Sequence, residues 1–409
     1  MVHRKWLIFS SIGGVYFFSH LHRIAPAVIA SRLMEEFKAS AAITGLMSSS
    51  YFYPYAIAQI PTGLLLDRIG VRKTVTLFSA LAAVGSFLFA LSPDVWLLTF
   101  SRALVGFGAG GIFISALKAF AEWFDPREFA TMMGFIITVG SLGAITATSP
   151  LAFSSEVVGW RSSFLMISIA MALATALCWA WIRPSSKVVS ITKGSVKEDV
   201  KRLFSNKNYR VLLPIPFLTH GAFIGFQGLW GGPFLIDVYE MSTVEAGNLL
   251  LLISLGVLIG APSAGLISDR VFKARKPVLL IGLSFMMLFW ILITLAPASL
   301  STLQLAILMF TLGFSFSLAD IYMAMSKDMF PESLTGIATG IANFSNFMGA
   351  TFFQLAMGVI IDLTLANSAS STSAYLNAFS MCLASVVIST CIALTVKETF
   401  PRKVSEMVT

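Results

Sequence analysis

Residues 63–73 read GLLLDRIGVRK, and residues 265–276 read GLISDRVFKARK. In both, glycine leads, aspartate follows four residues later, and arginine comes next. Each stretch closes a long apolar run and opens into a short basic segment. The two copies begin close to half a chain apart. A second echo follows: WFDPREFATMMGFI at 123–136 against MFPESLTGIATGI at 329–341. A single duplication of this size points to two related halves rather than to a solenoid, whose units are shorter and more numerous.

Composition says what the halves are made of. The chain has 409 residues, 56% of them hydrophobic and only 12% charged, with mean hydropathy +0.83. Soluble domains carry about 25% charged residues. Apolar runs of about 20 residues, long enough to cross a hydrocarbon core, recur throughout. The expected fold class is therefore an all-α polytopic membrane protein, with the lipid bilayer as its first partner. The net charge of +8 is accounted for by basic loops and does not call for nucleic acid. Cys178, Cys382 and Cys391 lie in apolar runs with no metal or disulfide spacing. Residues 1–30 have a basic start and an Ala25-Pro26-Ala27 stretch like a cleavage site. However, His20, His22 and Arg23 interrupt a long run, so an uncleaved first helix is expected.

Twelve spans are expected, at 6–30, 42–66, 74–92, 95–121, 130–152, 163–183, 211–236, 245–268, 277–297, 301–325, 333–361 and 374–396. The polar stretch 184–210, with Lys187, Lys193, Lys197, Lys201, Arg202, Lys207 and Arg210, is the one sizeable linker. It divides a first bundle, 1–183, from a second, 211–409. Most of the 28 Lys and Arg fall in segments on one side, while the other holds Arg32, Lys38 and Arg161. That asymmetry places both termini in the cytoplasm, with a bacterial inner membrane as the expected location.

The motif at Gly63, Asp67, Arg68, Gly70, Arg72 and Lys73 resembles the loop between helices two and three of the major facilitator superfamily. Gly265, Asp269 and Arg270 supply the weaker second copy. Arg102 ahead of Gly106 and Gly108, and Gly159-Trp160-Arg161, also resemble that family. The resemblance implies twelve helices in two pseudo-symmetric six-helix bundles, alternating access, a monomer, a small-molecule cargo and no cofactor. It also implies that Asp67 and its basic neighbours latch the inside shut. The competing account of those charges is topology control alone. Drug antiporters of the family carry Gly-Pro late in helix five, whereas Gly134–Pro150 here reads GFIITVGSLGAITATSP. YFFSHLHRIAPAVIASRLMEEF, from Tyr16, is similar to the first helix of bacterial carriers of amino acids, nucleosides or organic anions. The phagosomal nutrient transporters are one such group, and lysosomal dipeptide carriers are more distant.

Ionisable groups inside a membrane are costly and usually face the bundle interior or a wet path. Tyr16, His20 and Arg23 follow at i, i+4 and i+7 and share a helical face, with His22 pointing elsewhere. Arg23 lies about 27 Å along its span, so snorkelling to headgroups competes with a role as a fork for a carboxylate. Pro26 is expected to kink the helix. Arg102 is open to a structural or a proton-coupling role, and Lys118 reads as a snorkelling lysine. Asp320, in SFSLADIYMAM, is the acid best placed for proton coupling, against a helix-packing ion pair. His220 could titrate near neutrality and shares a face with Gln227. Tyr51, Tyr55 and Gln59 form one polar stripe, and Asn343, Asn346 and Gln354 another. These residues are candidate substrate contacts or bonds between helices.

Gly106-Phe-Gly108-Ala-Gly110-Gly111 matches GxGxxG, but no strand precedes it, so close helix packing is expected instead of a dinucleotide. There is no Walker motif, HExxH or GxSxG, and only four histidines, which argues against an enzyme and against a metal. A receptor on this fold would usually add a signalling domain. The favoured function is proton-coupled import of a small polar anion or zwitterion. Efflux of drugs or metabolites is the rival.

Overall fold

The computed structural model describes residues 2–125, 127–183, 196–295, 299–367 and 369–400. Lys187 and Lys193 of the expected linker lie outside them. The described residues contain helices and no strand. Ten helices are long and apolar enough to cross a membrane. One of these, Ala41–Leu91, is two spans in one, because Gly70 interrupts it with φ 78° and ψ 170°. A side chain there would be strained, so the motif glycine serves as the joint between spans two and three. The first span runs as Val2–Ile24 and Pro26–Phe37, broken at Ala25 where Pro26 cannot continue the hydrogen-bond ladder. These two additions bring the count to the twelve read from the sequence.

Contacts divide the chain into two units. The first comprises 1–190, 224–251 and 351–375; the second comprises 191–223, 252–350 and 376–409. The first unit is therefore larger than a six-helix half, because it also holds one end of spans seven, eight and eleven. Its core packs Ile8, Ile12 and Val15 of span one with Val75, Phe120, Ile136, Met171 and Cys178. In the second unit, the amphipathic helix Val196–Ser205 buries Leu203 beside Tyr209, Leu334 and Ala338. The Tyr209 hydroxyl donates to the Ala338 carbonyl at 2.7 Å. Ile60, Trp96, Phe153, Leu173 and Leu303 stay exposed. In water such residues would form a liability; in a bilayer they are the surface that lipid wets.

The Gly159-Trp160-Arg161 stretch is a staple at one end of the first unit. Gly159, at φ 84°, begins the sixth span. Arg161 donates to the carbonyls of Ala90 and Ser92 and pairs with Glu36, which also accepts from the Trp160 indole at 2.8 Å. Burial works against ionising Glu36, but the Trp160 and Arg161 hydrogen bonds and the Arg161 charge outweigh it and hold its carboxyl below the ordinary range. A depressed carboxyl stabilises the fold above its unfolded pKa, and that contribution fades as pH falls through the folded one. Glu36→Gln should therefore flatten the acid side of a melting-temperature profile. The loss at neutral pH should be about 1 kcal/mol or less, because the pair is solvent-screened.

Candidate functional site

The polar cluster of the first unit is assembled by glycine. Gly106 faces the backbone carbonyl of Tyr51, and Gly110 faces that of Tyr55. At both positions a Cβ would penetrate the facing oxygen. Spans two and four thus meet backbone to backbone, as the packing account of GxGxxG expected. This contact seats the stacked Tyr51 and Tyr55 rings, with centroids 5.8 Å apart. The Arg23 guanidinium lies over Tyr55, 5.2 Å from its centroid, and is hydrogen-bonded with the hydroxyls of both tyrosines. The Tyr51 hydroxyl in turn donates to the Ser19 carbonyl at 3.0 Å.

Arg23 is therefore held on aromatic and phenolic groups of the protein. Tyr16 and His20 join it as the i, i+4, i+7 spacing required. Their ring centroids are 4.4 Å apart, and Tyr16 also stacks on Phe113. Gly140 supplies the room for both rings. His22 faces away, buried beside Phe164. Gln59, further along the stripe, is half-buried.

Arg102 is buried, and its guanidinium lies 4.9 Å from the Tyr51 ring centroid. It donates to the carbonyls of His22 and Ser48. Its hydrogen bonds thus join spans one, two and four.

In the second unit, the tenth span breaks at Asp320 and Ile321, between helices Thr302–Ala319 and Tyr322–Asp328. The break brings Asp320 and Tyr322 together, two residues apart, which a continuous helix would not do. The Tyr322 hydroxyl interacts with the Asp320 carboxyl and lies 2.7 Å from Asn346 Oδ1. Among the described residues no Lys or Arg pairs with Asp320, so the helix-packing ion pair is absent there. His220 packs against Phe316 and Phe347, with ring centroids at 5.4 and 6.3 Å. Asn343 is half-buried one turn before Asn346.

His220 belongs to the second unit, and Gln227 lies in the first within a π turn, Phe226–Trp230. Gln354 ties spans seven and eleven, donating to Ile224 and accepting the Trp230 indole on its backbone oxygen at 3.0 Å.

The loop motifs also differ in detail from expectation. Asp67 pairs with Lys118, so that lysine does not snorkel. Arg68 and Lys73 are exposed, whereas Arg72 donates to the Trp179 carbonyl and lies over its ring at 4.1 Å. In the second copy Asp269 pairs with Arg275 and not with Arg270, and Arg275 also reaches Asp328 at 3.0 Å. Each aspartate is thus paired inside its own unit. Gly63 and Gly265 do not mediate close approach here: a Cβ on either would meet nothing within 4 Å. Sequence reasoning missed Tyr322, Arg275 and Phe113, whose roles depend on a helix break, a loop and a neighbouring span.

A duplicated set of broken helices around buried polar clusters, among apolar spans, is the architecture of a membrane solute transporter. The profile of the Major Facilitator Superfamily matches residues 12–354 and, in a second alignment, 230–405, and the chain belongs to that family. The hexuronate transporter of Escherichia coli (strain K12) is 22% identical over 389 residues, covering 88% of each chain. The gentisate transporter of Corynebacterium glutamicum is 25% identical over 352 residues, 83% of this chain and 77% of that one. Among solved structures, a bacterial homolog of the human lysosomal transporter Spinster, inward-facing and unoccupied, superposes with a TM-score of 0.75 at 16% identity, covering 95% of this chain and 96% of that one. The protein is an integral membrane transporter.

Proposed function

We propose that the protein imports a small organic anion or zwitterion together with protons, by alternating access of residues 1–183 and 211–409 around a site that includes Arg23. The observation that carries this reading is the seating of Arg23. The guanidinium is kept inside a membrane protein on Tyr51 and Tyr55, in one polar cluster with Tyr16 and His20. Its planar fork is suited to a cargo oxyanion. The relatives support the class, since hexuronate and gentisate are both carboxylates. Tyr16, His20 and Tyr55 would contact the rest of the cargo. Asp320, linked to Tyr322 and Asn346, is the proton acceptor in this reading, with His220 as a second titrating group. The basic segments face the cytoplasm, as the Lys and Arg distribution requires.

The test is uptake into liposomes holding the purified protein, with labelled hexuronate, gentisate, a dipeptide and a nucleoside, with and without an acidic exterior. Gradient-stimulated uptake of a carboxylate is the expected result. Gradient-driven expulsion of apolar cations with no carboxylate uptake would instead establish the efflux function. Asp320→Asn should abolish gradient-driven accumulation while cargo-for-cargo exchange continues, because exchange needs no net proton movement. Equal loss of both would remove Asp320 from the coupling step.

A further inference from the structure

The second span begins with helix Ala41–Ser49, whose first backbone N–H groups have no partner within the helix. Ser40 covers the third of them, accepting from Ile43 at 3.3 Å. The first two are covered from far along the chain. The Asp362 carboxylate, at the end of the eleventh span, accepts from Ala41 at 2.9 Å and from Ala42 at 2.8 Å, one oxygen to each. All of these residues lie in the first unit.

The surroundings are closely packed. Gly358, one turn before Asp362, meets the Ala41 carbonyl, and Gly45 meets the Gln354 carbonyl. Nearby, Gly232 meets the Ala27 carbonyl, and Ser149 donates to Asn248. At none of the three glycines could a Cβ be added without displacing backbone. The opposite ends of the same kinds of helix differ. A Cβ on Gly63, Gly134, Gly265, Gly336 or Gly340 would meet open space. The contacts between sequence halves named here lie at the end where Asp362 sits.

We infer that Asp362 is a conformational pin: its carboxylate on the N-terminus of span two holds the extracellular gate closed and sets how often the transporter opens outward. This rests on the alternating-access reading and its orientation. When the halves part on that side, Asp362 must leave both N–H groups. The state that follows has a helix N-terminus without its anion, and a carboxylate returned to water. Charge-assisted bonds of this kind are stronger than neutral ones, so one side chain can bias the whole equilibrium. Asp362 touches neither Arg23 nor Asp320 by any contact described above, so it is a positioning residue and not part of the binding site.

The experiment places spin labels at Lys38→Cys and Asn367→Cys, both exposed and both outside the packed contacts, in a protein lacking its three native cysteines. Distances are measured in liposomes for the parent and for Asp362→Ala, Asp362→Asn and Asp362→Glu. The long-distance, outward-open population should rise about tenfold in Asp362→Ala, by the scale of a charged hydrogen bond. It should rise less in Asp362→Asn, which keeps the shape and serves if the truncation does not fold, and return toward the parent in Asp362→Glu. Amide exchange in residues 40–46 should quicken in the same order. Two populations in the parent that Asp362→Asn and Asp362→Ala leave unmoved would overturn the pin while leaving alternating access intact. A single distance in the parent under every gradient and cargo condition would overturn alternating access, and the pin with it.

Discussion

Arg23→Ala should lower carboxylate uptake by about a hundredfold, the scale on which truncating one partner of a buried, hydrogen-bonded charge pair acts. The effect should fall mainly on KM if Arg23 holds cargo equally well throughout the cycle, and on kcat if its grip tightens as the protein closes. Arg23→Lys is the informative companion. It keeps the charge but loses the planar fork and the stacking on Tyr55, so it should recover only a small part of the rate. Tyr55→Phe keeps the ring beneath the guanidinium and removes one hydroxyl partner, and a loss nearer tenfold is expected. Initial rates in liposomes, with a thermal-melt check on each variant, decide the matter. Unchanged uptake in a folded Arg23→Ala would return Arg23 to a packing role.

Gly106→Val and Gly110→Val should prevent the protein from being recovered folded. Overpacking a core by ordinary side-chain strain costs about 1–3 kcal/mol, but here the added atoms meet carbonyl oxygens of Tyr51 and Tyr55. Those carbonyls belong to a helix that Arg102 fastens to span one through the His22 and Ser48 oxygens. The neighbour cannot retreat without breaking that clamp. The control is Gly134→Ala, where the new methyl enters open space and should leave melting unaltered. Size-exclusion profiles and melting curves of the three variants separate the cases. A monodisperse, stable Gly106→Val would show that spans two and four can separate at little cost.

The fold was legible in the sequence because apolar runs, duplicated loop motifs and basic loops are local patterns. The face shared by Tyr16, His20 and Arg23 was legible for the same reason: a helix without interruption preserves its periodicity. The π turn at Phe226–Trp230 was not legible, because a change in residues per turn leaves no mark on spacing. Lys118 was misread because its partner, Asp67, lies on another span and pairing between spans leaves no mark on spacing. Asp362 was invisible for a stricter reason. Its partners are backbone N–H groups of Ala41 and Ala42, and backbone has no letter in a sequence. Tyr322 escaped notice because only the break after Ala319 brings it to Asp320.

Among the described residues, the first helix is less apolar than the other spans, since His20, His22 and Arg23 lie within it. A charged residue within a span costs up to about 2.5–3.5 kcal/mol during insertion, the value at the span's centre. Its partners for that cost are Tyr51 and Tyr55 of span two, while Arg102 of span four holds its backbone at His22. Those spans are synthesised later. During biogenesis the leading helix should therefore linger at the translocation machinery until at least the fourth has emerged, and the first four spans should enter the bilayer as a group.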